Sequence, residues 1–217
     1  MSFKGVIFDL DGVLVDSVPL HYTAWKRLFE ENGYAFDKMI YRQKVDGRPR
    51  LDGVRGVMGD LDEEAVIEAG NRKQAYYQEM INQGQLQPFS TSIPFIKALS
   101  ARGILLAAAS SSENTRIILD SIGVLDDFTA VVTAADVKHG KPNPDIFLAA
   151  AQRMGLSVPE CVVFEDAESG VKAAKRGGFF CVGVDRHQQP EYFREADLVV
   201  IDLGGFENRT QEPLFIA

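Results

Sequence analysis

The chain of 217 residues is short of cysteine, histidine and tryptophan, with 2, 3 and 1 of each. Cys161 and Cys181 stand at the starts of two apolar runs, with no cysteine or histidine partner nearby. That excludes a disulfide framework and a Cys/His metal centre, and leaves two buried free thiols as the expectation. No apolar run approaches the roughly 18 residues of a membrane span. The start, Met1-Ser2-Phe3-Lys4-Gly5, lacks the charged, apolar and small-residue regions of a signal peptide, so a cytoplasmic protein is expected. Without such a signal, Asn208-Arg209-Thr210 carries no expectation of a glycan. Basic charge is also in deficit: 23 Lys and Arg face 31 Asp and Glu, a formal net charge of -8. Nucleic acid favours basic surfaces and is not an expected partner.

What is present is ordinary globular composition, 46% hydrophobic and 25% charged. The length suits one large domain or one with a smaller companion, and is enough to bury a sizeable core. Nothing in it demands a dimer, so a monomer is expected. Six short apolar runs stand out: Gly5–Phe8, Ile104–Ala109, Ala130–Val132, Cys161–Phe164, Phe180–Val184 and Leu198–Ile201. Continuous runs of that length suit strands buried on both faces of a parallel sheet. Helical spacing marks Ile93–Arg102, Glu113–Ile122, Asp145–Met154 and Ser169–Arg176, each followed by a glycine. This alternation predicts an α/β fold with a doubly wound parallel sheet. Residues 18–87 break the rhythm with helical patterns, notably Pro19–Glu31 and Leu61–Gly84. They predict a helical insert after the first strand, with Pro88 through Pro94 as the return crossing.

In open α/β sheets ligands bind beyond the carboxyl ends of the strands. There the chain carries Asp9-Leu10-Asp11-Gly12 after the first run and Ser110-Ser111-Ser112 after the second. Lys141-Pro142 comes a few residues after the third, and Glu165-Asp166 after the fourth. The fifth run ends in Asp185-Arg186-His187, to which no role falls. Two carboxylates about 4 Å apart repel by about 4 kcal/mol at an effective dielectric of 20, so four of them call for a cation. An oxygen-only set favours a hard ion, and Mg²⁺ suits one or two carboxylates with water and phosphate. A metal, a lysine and a hydroxyl around one anion are the parts of phosphoryl transfer. Singly each piece has a plainer reading: Ser110–Ser112 as a helix cap, Glu165-Asp166 as acids at a helix start. Their joint occurrence after successive runs is what carries the expectation.

The run Asp9-Leu10-Asp11-Gly12-Val13-Leu14-Val15-Asp16-Ser17, with Ser110, Lys141-Pro142-Asn143-Pro144-Asp145 and Glu165-Asp166 in order, resembles the haloacid dehalogenase superfamily. The insert resembles the small helical cap of its β-phosphoglucomutase-like branch. The resemblance implies a Rossmann-like core at 1–16 plus 89–217 and a cap at 17–88. It implies Asp9 as a nucleophile that becomes an aspartyl-phosphate and Asp11 as general acid and base, roles that spacing alone leaves open. It implies Mg²⁺ held by Asp9, the Asp11 carbonyl and Asp166, with Glu165 either a ligand or the partner of one. Ser110, Ser111 and Lys141 would hold the phosphoryl group. Dehalogenation fits less well, because those relatives usually lack the second aspartate. A phospho-accepting receiver module places its aspartate after the third strand and leaves the insert unexplained.

For the cap, the resemblance implies that a small phosphorylated sugar meets His21, Trp25, Arg50 and Lys73, with Ser112 and Asn114 from the core. His21 and Trp25 are four apart on one helix face, and an arginine fork at Arg50 suits phosphate. Lys73 lies on the inner stripe with Val66, Gly70, Tyr77 and Ile81, unusual for a purely structural helix. The branch pattern Lys-Gly-x-Ser-Arg is replaced here by Asp46-Gly47-Arg48-Pro49-Arg50. The carboxylate at its head weakens phosphate attraction, and Arg48 offers compensating charge. Two reactions therefore stand as expectations. One converts β-glucose 1-phosphate to glucose 6-phosphate through glucose 1,6-bisphosphate; the other hydrolyses a small sugar phosphate.

Overall fold

The structure, a computed structural model, describes residues 3–45 and 48–209, with the side chains of 207–209 left aside. Asp46 and Gly47, and Thr210 of the Asn-x-Thr sequence, lie outside the described residues. The chain divides into two compact units, Met1–Asp16 with Gln87–Ala217, and Ser17–Leu86.

The first unit holds strands β1 (Gly5–Phe8), β2 (Val15–Asp16), β3 (Gln87–Pro88), β4 (Leu105–Ser110), β5 (Ala130–Thr133), β6 (Cys161–Glu165), β7 (Phe180–Val184) and β8 (Leu198–Val200). Six of them form a parallel sheet in the order β5-β4-β1-β6-β7-β8. β1 lies at the centre, with Phe8 level with Ala108 on one side and Phe164 on the other. Every residue of β1 and β6 is buried, which is why their runs are continuously apolar. Ile7, Ala107, Ala109, Val163 and both free cysteines pack with Ile146, Phe147 and Val171 on one face. On the other, Phe8, Phe95, Phe164 and Phe206 meet edge to face or stacked. Helices therefore cover both faces. The order reverses beside β1, where the chain finishes β4 and β5 and crosses to β6, so a crevice is expected at that switch point.

β2 and β3 pair antiparallel, Val15 with Pro88 and Asp16 with Gln87. β3 opens the return stretch read at 88–94, and the pairing adds a detail that two-residue strands, which carry no periodic signal, do not announce. The expected helix at Glu113 begins at Thr115, because Ser112 and Asn114 are taken up in a preceding turn.

The second unit is helical: α1 (Val18–Glu31), α2 (Lys38–Lys44), α3 (Arg50–Met58) and α4 (Glu63–Asn82). Pro19 sits in the first turn of α1, where its fixed φ and missing N–H cost nothing. Asp37 and Asp62 cap α2 and α4, accepting from Ile40 N and Ala65 N at 2.8 Å. Its core joins Trp25, Leu28, Phe29, Phe36, Tyr41, Val54 and Val66. The remaining helices, α5 (Ser92–Ala101), α6 (Thr115–Ser121), α7 (Asp145–Arg153), α8 (Glu168–Arg176) and α9 (Gly204–Arg209), belong to the sheet unit. Among the described residues no helix is long and apolar enough to cross a membrane.

Candidate active site

β1 ends at Phe8, so Asp9 is the first residue past the sheet edge, with its N–H on the Phe164 carbonyl at 2.9 Å. Because β1 and β6 are neighbours in that register, Glu165 comes up beside it. Lys141, from the loop before α7, places its Nζ between them, 2.5 Å from Asp9 Oδ1 and 2.6 Å from Glu165 Oε1. All three side chains are buried, none more than 9% exposed. Glu165 Oε2 also accepts from Ala167 N at 2.8 Å, at the start of α8.

One ammonium does not offset this many carboxylates. Burial, and then the charges of Glu165, Asp166 and Asp11, push Asp9 well above the carboxylate range, although Lys141 pulls the other way. Burial and Glu165 raise Asp166 to about 7. Burial would lower Lys141, but Asp9 and Glu165 outweigh it and hold the ammonium above its ordinary value. The site is short of positive charge.

Two glycines let the carboxylates in. Gly12 has φ +79°, and a Cβ there would lie 1.9 Å from Asp166 Oδ2. A Cβ on Gly170 in α8 would lie 1.7 Å from Glu165 Oε1. At the end of β4, Ser110 is 1% exposed and its Oγ accepts from Ser112 N at 3.0 Å. Its own hydroxyl proton stays available to an anion. Ser112 Oγ accepts from Asn114 N at 3.2 Å, and Ser111 is exposed. None of the three serines caps α6 directly; its N-cap is Asn114, which makes no side-chain cap bond.

The donor set fits Mg²⁺. Among the described residues no three His, Cys, Asp or Glu side chains already converge on a metal. Mg²⁺ does not need three: it takes one or two carboxylates and completes its octahedron with water, carbonyl and substrate oxygens. Asp9 is buried and Asp166 half-buried, both in a site short of positive charge, and the bare Gly12 leaves room beside Asp166.

In the helical unit a second constellation forms between α1 and α4. The His21 and Tyr77 rings stack with centroids 4.1 Å apart and planes within 5°. Lys73 Nζ lies 2.8 Å from His21 Nδ1, 5.1 Å over the Trp25 ring and 4.9 Å over Tyr77. Lys73 is 3% exposed. Burial, then the Lys73 ammonium, pull the His21 imidazole down to about 3. An ammonium only donates, so Nδ1 is the acceptor and the proton of the neutral ring sits on Nε2. Arg50 opens α3, its Nε buried without a hydrogen-bond partner and packed against Gly70 of α4. Arg48 is engaged with the Gln43 carbonyl at 3.0 Å.

Thus Asp9, Glu165 and Lys141 meet directly, Ser110, Ser112 and Asn114 form one hydrogen-bonded turn, and His21, Trp25 and Lys73 form one cluster. Sequence reasoning overlooked Tyr77 as the partner of His21, though it lies four positions after Lys73 on the same stripe. It also overlooked Gly170 and left Arg186 unassigned; nothing local marks either.

The family model for haloacid dehalogenase-like hydrolase matches residues 3–178. The chain belongs to that family. It is 35% identical over 204 residues to the β-phosphoglucomutase of Bacillus subtilis strain 168, covering 91% of this chain and 88% of the relative. It is 33% identical over 189 residues to a fructose-1-phosphate phosphatase of Escherichia coli K12, covering 84% and 96%. The crystal structure of β-phosphoglucomutase from Clostridium difficile matches with a TM-score of 0.76 at 27% identity, covering 91% of this chain and 90% of that one. This haloacid dehalogenase-like chain is therefore an enzyme, of a family whose named relatives include an isomerase and a phosphatase.

Proposed function

We propose that the enzyme transfers phosphoryl groups through an aspartyl-phosphate on Asp9, and that its substrate is β-glucose 1-phosphate, converted to glucose 6-phosphate by way of glucose 1,6-bisphosphate. The observation that carries the transfer chemistry is the Lys141 ammonium buried between Asp9 and Glu165 at the switch point. Asp9 attacks phosphorus; the bond to the leaving sugar oxygen breaks while Asp11 supplies that oxygen's proton. In the return step Asp11 takes the proton of the accepting hydroxyl, which attacks the aspartyl-phosphate and frees Asp9. Splitting one displacement into two is the gain of covalent catalysis. Lys141 and the Ser110 hydroxyl hold the phosphoryl oxygens. The Asp9 and Asp166 carboxylates and the Asp11 carbonyl would hold Mg²⁺, which supplies charge to the transferring group and relieves the carboxylate repulsion.

The mutase reading is supported by the Lys73–His21 pair and by Arg50, whose free Nε suits an anion, and by the mutase relatives. A phosphatase of small sugar phosphates is the second reading, favoured by the carboxylate of Asp46 at the head of the substrate loop and by the phosphatase relative. The test is incubation with β-glucose 1-phosphate, Mg²⁺ and a trace of glucose 1,6-bisphosphate. Glucose 6-phosphate without inorganic phosphate is the expected outcome. Release of inorganic phosphate alone rejects the mutase and leaves the phosphatase. Undiminished turnover in Asp9→Asn rejects both.

A further inference from the structure

Arg186 follows β7 and reaches back across the carboxyl edge of the sheet to the loop behind Asp9 and Asp11. Its Nε donates to the Gly12 carbonyl and its Nη2 to the Val13 carbonyl, both at 3.1 Å. The guanidinium carbon lies over the Phe89 ring, 3.8 Å from its centroid. Phe89 in turn donates its N–H to the Leu14 carbonyl at 3.0 Å. The root of Arg186 is fixed as well: Asp185 N bonds the Val200 carbonyl at 2.8 Å, and Asp185 Oδ1 accepts from Gln189 N at 2.8 Å. The loop bonds itself through Gly12 N to Val15 O and through Leu14 N and Val15 N to Leu10 O. Those bonds close the turn without engaging the Gly12 and Val13 carbonyls. Val13 O takes a long bond from the Ser92 hydroxyl, at 3.4 Å, and the Arg186 fork alone engages both carbonyls at once, on the side where Asp166 lies against Gly12.

We infer that Arg186 is a positioning residue for the reaction: by gripping the Gly12 and Val13 carbonyls together, it sets the Asp11–Gly12 peptide against Asp166 and so aims Asp11. This rests on the reading that Asp9 and Asp11 carry the transfer. The planar fork is what the task requires, since one lysine ammonium cannot serve two fixed carbonyls and also stack on a ring. Displacements of about 1 Å remote from the reacting atoms cost up to about 100-fold in rate.

The test compares wild type with Arg186→Lys and Arg186→Met. Hydrogen exchange of the Asp9–Val15 peptide is followed by mass spectrometry, and kcat and KM are measured with the sugar phosphate that the wild type turns over or with p-nitrophenyl phosphate. In both Arg186 variants, exchange in that peptide should rise while the sheet strands stay protected. Their kcat should fall on the order of 10- to 100-fold with KM changed less than about twofold, and lysine should not rescue. Wild-type exchange in that peptide, or full kcat in Arg186→Lys, overturns the inference. Should Arg186→Met fail to fold, Arg186→Lys, which keeps the charge and the stem, decides alone. Full turnover in Asp9→Asn would instead sink the functional reading, and the exchange data would still decide whether Arg186 holds the loop.

Discussion

At the scale of single residues, the carboxylates are held in a charge-deficient site, and that has a pH signature. Asp166 titrates near 7 in the fold against an ordinary 3.8, because burial and then Glu165 disfavour its charge. Between those values the folded protein keeps a proton that the unfolded chain has released. Stability therefore falls as pH rises through this window, and the whole cost is present above it. The advantage of Asp166→Asn over wild type, measured by urea unfolding in EDTA, should be small near pH 4, grow towards pH 7 and then level off. A difference independent of pH would refute this. On the proposed ligation by Asp166, Mg²⁺ would compete with the same proton, so it should stabilise wild type more at pH 8 than at pH 6, and stabilise Asp166→Asn little at either. The residue types and their places after the strands were legible in the chain. The Tyr77 stack on His21 was not, because it joins two helices whose facing angle no periodicity states.

At the scale of elements, α8 illustrates how packing overrides propensity. Gly170 interrupts a helix, and alanine there is worth about 1 kcal/mol of intrinsic propensity. The new Cβ would, however, lie 1.7 Å from Glu165 Oε1 and 1.9 Å from its Cδ. Glu165 cannot yield without losing Lys141 and Ala167 N. Hydrogen bonds to charged groups are worth about 1.5–3 kcal/mol each, so Gly170→Ala should destabilise by about 2–5 kcal/mol net despite its better propensity. Gly140→Ala, whose Cβ would meet nothing within 4 Å, should fall within about 0.5 kcal/mol of wild type. Guanidinium unfolding of the two variants checks both. The helices and strands read from repeating apolar residues were legible to within about two residues, whereas α2 and α3 were not read as separate helices. The β2–β3 pair was not, since two residues make no pattern and its partners lie far apart in the chain.

At the scale of the whole molecule, each unit encloses a core of its own, and cores that do not share residues can open separately. Leu28 is fully buried within the helical unit. Leu28→Ala should cost about 2–5 kcal/mol there, raising hydrogen exchange across Ser17–Leu86 while β1, β4 and β6 keep their protection. Loss of protection in both units together would show a single cooperative block. The net charge of -8 also takes on meaning at this scale: part of it is gathered at one sheet edge, with Lys141 set among the acids. Local chemistry along the chain was enough to establish an α/β sheet and the acids at its strand ends, because a strand buried on both faces must be apolar throughout and its carboxyl end is where that constraint stops. Folding alone settled which charge meets which. Lys141 lies 132 positions from Asp9, and Arg186 lies 174 from Gly12; contacts across such spans follow from strand order and register, which no local pattern encodes.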